Sequence, residues 1–389
     1  MNLPRWAAPV VVVMTAALAV ACGEHDRVVS RDPLSLPPSA CQPCHDAIVK
    51  SHALTAHART SAPASAATIL GDFSTGKNVL RTRSPLVWFT MDQRTDGFFQ
   101  RARDVTNAID QTERFDIVVG SGRRGQTYVF WKDAILYELP VSYLTAAHGW
   151  INSPGYRDGS VDFSRVITTR CLECHATSFI AERTSAGLRY GKEFQLGISC
   201  EKCHGDARAH VAWHNAHHAD TVAHDIVHPA KIDRDRRMDI CALCHSGGRM
   251  QRTASFTYRA GEKLDDFLFP HPDTATALPD VHGDQVGLLR LSKCFRASPS
   301  MSCATCHDVH TVQRSPDALS AKCLQCHQAA RHRPLARGET VALARCATCH
   351  MPVQQSHALQ INTATSQDAF SMRTHRIAVY PRNTIDATR

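Results

Sequence analysis

Cysteine and histidine carry the chemistry of this chain: of its 389 residues, 16 are Cys and 23 are His. Fourteen of the cysteines fall into a single spacing, C-x-x-C-H, which occurs seven times. The copies are Cys41, Cys44 and His45; Cys171, Cys174 and His175; Cys200, Cys203 and His204; and Cys241, Cys244 and His245. Three more follow at Cys303, Cys306 and His307; Cys323, Cys326 and His327; and Cys346, Cys349 and His350. This spacing suits covalent haem: each thiol adds to one vinyl group, and the adjacent imidazole binds the iron from one side. Other uses of paired cysteines leave the histidine unexplained. A redox C-x-x-C does not need it, zinc knuckles do not require it after every second cysteine, and seven four-residue disulfide loops are poor staples. The reading is seven haem c groups, each with its motif histidine as proximal ligand.

Sixteen histidines remain to supply sixth ligands. His57, His210, His282 and His310 are the leading distal candidates, and His228, His357 and His375 follow. His210, His214 and His218 are spaced to share one helix face, and as a set are also suited to a surface metal. A distal histidine commonly caps a haem attached elsewhere in the chain, so spacing does not assign the pairs. Capped irons carry electrons, whereas an open iron also binds and transforms a small molecule. The histidine surplus favours capping. No C-x-x-C-K variant is present.

The segments that position these residues read as follows. Residues 1–21 resemble an export signal, with Arg5 ahead of an apolar run from Ala7 to Ala21 that falls short of the roughly 20 residues of a membrane span. Ala19-Val20-Ala21 before Cys22 resembles a lipoprotein cleavage site. The expectation is therefore a periplasmic or envelope protein, with lipid anchoring at Cys22 as the leading outcome and simple cleavage or an uncleaved anchor as the others. Residues 22–38 read as a linker, 39–60 as the first haem segment, 165–380 as a six-haem cytochrome domain and 381–389 as a tail. Between them, 61–164 lack any haem motif, and Asp116–Gly120, Thr127–Trp131 and Ile135–Val141 read as strands with a turn at Lys132-Asp133. A literal G-x-G-x-x-G at Gly120–Gly125 precedes another strand rather than a helix, which excludes a dinucleotide site. Arg123 and Arg124 in that loop are candidates to pair with haem propionates. Cys294, outside every motif, reads as a small buried thiol.

The composition is that of a folded chain, 43% hydrophobic and 21% charged, with only 7% aromatic residues. It excludes a disordered tail, a collagen and a multi-span membrane protein. A formal charge of +8 is offset by haem propionates, and no basic run interleaved with aromatics points to nucleic acid.

Several stretches resemble the exported multihaem cytochrome c superfamily, which includes the tetrahaem carrier of nitrifying bacteria, hydroxylamine oxidoreductase and the multihaem nitrite and tetrathionate reductases. They are Cys41–His45 with Thr55-Ala56-His57-Ala58, Cys200–His204 with His210, Cys303–His310, and Cys346–Pro352 with Thr374-His375-Arg376-Ile377. The resemblance covers 39–60 and 165–380. It implies bis-histidine haems, stacked porphyrins, and a mainly α fold with much loop plus a small β-sheet insertion. The group holds both carriers and enzymes. The expected function is extracytoplasmic electron transfer with other redox proteins or quinol-linked membrane complexes. The alternative is a reductase or oxidase of a small nitrogen or sulfur compound at one open haem.

Overall fold

Antiparallel strands share this protein with short helices, in a computed structural model describing residues 32–185, 187–270, 283–313, 315–327, 345–362 and 367–381. Among those residues, strand outweighs α-helix, which overturns the expectation of a mainly α fold. The physical reason is visible in runs such as Val87–Arg94 and Gly97–Asp104, where side chains alternate between buried and exposed along a hairpin. The helices are short because most do little more than present one haem motif.

Helix α1 (Gln42–His52) carries the first motif and leads into strand β1 (Ser61–Pro63). A four-stranded antiparallel sheet follows: β2 (Val79–Arg81), β3 (Val87–Arg94), β4 (Gly97–Asp104) and β5 (Ile109–Arg114), in that spatial order. The second sheet contains β6 (Ile117–Val119), β7 (Gly125–Lys132), β8 (Ile135–Glu138), β9 (Val141–Leu144) and β10 (Gly149–Asn152). Its order is β1-β6-β7-β9-β10, with β8 also on β7. The β7–β8 turn sits on Asp133 and Ala134, both at positive φ as a two-residue hairpin turn requires, one step beyond Lys132-Asp133. The region expected to hold one small sheet therefore holds two.

One core joins both sheets: Phe89, Met91 and Ala102 from the first meet Val118, Tyr128, Phe130 and Val141 from the second. Phe115 stacks on Tyr128 at 4.4 Å, and the Trp150 indole donates to the Asp72 carbonyl at 3.1 Å. The few aromatic residues are thus concentrated away from most haem motifs, each burial worth about 1.5–3 kcal/mol. Period-2 alternation lets β6–β7 bury their other face as well. Ile117 and Val129 pack against Ala176, Phe179 and Tyr190, which come from the hairpin of β11 (Ala176–Thr184) and β12 (Gly187–Leu196).

That hairpin separates α2 (Thr169–His175) from α3 (Cys200–His204). Beyond them lie α4 (Arg208–Ala216), α5 (Arg234–His245), α6 (Gln285–Arg290), α7 (Lys293–Ala297), α8 (Pro316–Leu324) and α9 (Cys346–His350). The last ordered pair is β13 (Val353–Asn362) with β14 (Gln367–Arg373). A third core of Met238, Leu243, Tyr258, Leu264, Leu268 and Val286 holds α5 and α6. The N-terminal strand of chain is tied down by Glu201, buried at 1% exposure, whose carboxylate accepts from Leu36 N at 2.9 Å and Ala207 N at 3.0 Å.

Candidate functional site

Every one of the seven motifs folds as a single helical turn. In α2, α3, α5 and α9 the turn is helical throughout. In the first, fifth and sixth copies, the histidine N–H donates to the carbonyl of the first cysteine: His45 to Cys41 at 2.9 Å, His307 to Cys303 at 2.9 Å and His327 to Cys323 at 3.0 Å. The two cysteines, three residues apart, then share a face, and the histidine follows one step on. Two sulfurs and one imidazole on one turn form the donor set that covalent haem c needs.

Three motif imidazoles face a second imidazole across a gap of nearly constant width. His245 faces His57 with ring centroids 6.2 Å apart, His204 faces His310 at 6.2 Å, and His307 faces His375 at 6.3 Å. A metal–imidazole bond of about 2.0–2.1 Å, with about 1.1 Å from nitrogen to ring centre, puts two rings on opposite sides of one metal about 6.3 Å apart. The residues present therefore fit a six-coordinate iron at the third, fourth and fifth motifs.

Burial keeps these rings neutral, the form that offers a lone pair to a metal. It pushes His245 down to about 4, helped by the nearby His57, and lowers His57, His204, His307 and His375 below the usual histidine value. Partners at Nδ1 leave Nε2 as the ligating atom. His204 Nδ1 meets the Val227 carbonyl at 2.9 Å, His350 Nδ1 the Ala378 carbonyl at 2.8 Å, and His175 Nδ1 the Thr60 hydroxyl at 2.9 Å. None of these partners is signalled by the sequence, since two are carbonyls and the third is one threonine among many.

Thiol contacts show which motifs are neighbours. Cys41 neighbours Cys200, Cys174 neighbours Cys244, Cys241 neighbours Cys303, and Cys323 neighbours Cys346. Cys203 lies close enough to Cys241, and Cys306 to Cys323 and Cys326, for their charges to interact. The motifs therefore run first, third, fourth, fifth, sixth, seventh, with the second branching from the fourth.

The remaining sequence candidates fall elsewhere. His210 meets His214 at 4.6 Å, and its Nδ1 bonds the His224 carbonyl at 2.8 Å. His228 lies near the His204 ring. His282 and Cys22 lie outside the described residues, as does the side chain of His357. Cys294 is half-buried near Cys306. The G-x-G-x-x-G run is the β6–β7 hairpin loop. Among the described residues no helix is long and apolar enough to cross a membrane.

Residues 156–205, which hold the second and third motifs and the β11–β12 hairpin, match the family model described as cytochrome c554 and c-prime. No curated protein sequence matches the chain significantly. Among solved structures, the outer cell wall cytochrome OcwA is similar with a TM-score of 0.55 and 13% identity, over 91% of this chain and 81% of that one. An undecahaem cytochrome from the S-layer of Carboxydothermus ferrireducens has a TM-score of 0.42 and 15% identity, over 92% of this chain and 60% of that one. The chain thus shares its fold with OcwA, and the family-model match over residues 156–205 supports covalent haem c at the C-x-x-C-H turns it contains.

Proposed function

We propose that this chain is a seven-haem c-type cytochrome that carries electrons outside the cytoplasm, exchanging them with other redox proteins or quinol-linked membrane complexes. The observation that carries this reading is the set of three imidazole pairs at 6.2–6.3 Å, each joining a motif histidine to a histidine from a distant segment. Capped irons suit electron transfer better than substrate binding. When bound, each haem iron takes up and returns one electron between its ferric and ferrous states.

The chain's own residues do the rest. The motif cysteines would hold each group covalently, and the fold sets the motifs side by side in the order first, third, fourth, fifth, sixth and seventh, with the second beside the fourth. Burial and the Nδ1 partners fix the imidazoles in one tautomer and orientation. Location outside the cytoplasm is supported by the signal-like residues 1–21. Lipidation at Cys22 would tether the chain to a membrane.

The test combines haem quantification with electron paramagnetic resonance of the oxidised protein and carbon monoxide difference spectra of the reduced form. Seven haems per chain, low-spin signals only and no carbon monoxide shift are expected. A high-spin ferric signal with carbon monoxide binding at one haem would replace this reading with that of a reductase or oxidase.

A further inference from the structure

We propose that the β6–β7 loop, Gly120–Gly125, reaches from the two-sheet region to the fifth haem site and holds Arg123 there as a fixed cation that raises the potential of that site. The inference rests on the electron-carrier reading above. The site's ligand pair is His307 and His375, 6.3 Å apart. Arg123, next in sequence to Arg124, lies within charge range of the His307 ring. The next residue, Arg124, donates from its guanidinium to the Ser371 carbonyl on β14, four residues before His375. The loop therefore touches the strand that leads to His375 and sets a cation within charge range of His307.

The loop is pinned rather than free. Gly120 N donates to the Thr60 carbonyl at 2.7 Å, Thr145 N to the Arg124 carbonyl at 2.9 Å, and the Thr145 hydroxyl to the Gly122 carbonyl at 2.6 Å. Gly122 has φ +77°, and a Cβ there would lie 2.2 Å from Leu70 Cδ1, so the backbone depends on glycine. Among the described residues no carboxylate forms an ion pair with Arg123, and its neighbour Arg124 is another cation. Arginine stays protonated at every working pH. Reduction of the iron adds one electron and removes one unit of positive charge from the site, so a fixed cation alongside favours the reduced state.

The test is a spectropotentiometric titration of the haem-loaded full chain, with dithionite as reductant and ferricyanide as oxidant. In Arg123→Gln, about one seventh of the α-band amplitude should move to lower potential, one haem of the seven motifs. Arg123→Glu should move the same fraction further, and Arg123→Lys should restore most of the wild-type curve. Because Arg123 is exposed, added salt should shrink the difference between wild type and Arg123→Gln. Low-spin paramagnetic signals unchanged in the variants would show that His307 and His375 still ligate. Identical titrations in wild type, Arg123→Gln and Arg123→Glu would overturn the proposal. So would a shift spread over all the haems, or the loss of one haem from Arg123→Gln, which would mark a structural role. A wild-type chain without haem absorbance would instead defeat the electron-carrier reading beneath it.

Discussion

Replacing His57 by alanine tests the ligand pairing directly. The His57 ring stands 6.2 Å from His245, against about 6.3 Å for two imidazoles sharing one metal, so the pair suits one shared iron. The substitution leaves the backbone in place: the His57 carbonyl still accepts from Thr60 N at 3.2 Å and Ile198 N at 2.9 Å. Its effect should therefore be local, opening the iron held by His245 and no other. The expected result is one high-spin ferric centre per chain and one carbon monoxide bound per chain after reduction, about one seventh of the haem signal. His57→Met should close the site again and raise the potential of one haem, as thioether–imidazole ligation does. His148→Asn is the control, because His148 is exposed on the β region at φ +49°, which asparagine tolerates. A His57→Ala protein with wild-type spectra and no carbon monoxide binding would refute the pairing. Opening of two or more haems would refute the claim that the effect is local.

Three further outcomes are expected. Glu201→Ala removes the acceptor for the Leu36 and Ala207 N–H groups and should cost about 1–3 kcal/mol for each buried group left unpaired, read by urea unfolding; Glu201→Gln, keeping one acceptor oxygen, should lose less. Gly71→Ala would place a methyl 2.1 Å from Cη2 of Trp150, an indole already fixed through Asp72, and should destabilise by about 1–3 kcal/mol in a denaturant titration followed by far-ultraviolet circular dichroism. Burial raises the Glu138 carboxyl above its ordinary 4.5, and the ion pair with Arg165 at 3.0 Å only partly opposes this. Its stabilising contribution is fully present below pH 4.5 and is lost as pH rises through the folded-state value. Glu138→Gln should therefore flatten the fall of Tm as pH rises above about 4.5, and an unchanged slope would contradict that assignment.

The chemistry of this chain is local and so was readable from the sequence. Two thiols and an imidazole within five residues need one helical turn, and all seven copies form one. The distal candidates were readable as residues, but not which motif histidine each would face. His57 precedes His245, and His204 precedes His310, by more than a hundred residues, and only tertiary packing brings them face to face. His210, rated with His57 and His310 for its nearness to the third motif, meets His214 instead, because one turn of α4 places residues four apart side by side. The overall balance of strand and helix was misjudged. The motifs drew weight to helical turns, while alternation in Val87–Arg94 and Gly97–Asp104 and the hairpins at 176–196 and 353–373 went unweighed. Nothing in an amino-acid string announces a backbone carbonyl as a partner, so Val227 and Ala378 were out of reach.

The two-sheet region leaves and rejoins the haem-bearing chain at almost one point. Thr60 bonds the His175 ring, the Ser61 hydroxyl donates to the His175 carbonyl at 2.5 Å, and Gly197 N donates to the Ser61 hydroxyl at 3.0 Å. Holding the ends of a loop of over a hundred residues together costs about 4 kcal/mol of chain entropy, which the folded sheets meet from their own core. The region is thus a module whose two chain crossings lie together, and it also covers the β11–β12 hairpin through Ile117 and Val129 and reaches β14 through Arg124. A chain in which a short turn replaces it would keep the approach of the two crossings but uncover Phe179 and Tyr190, so any exchange or enlargement of this part must preserve the face that Ile117 and Val129 present.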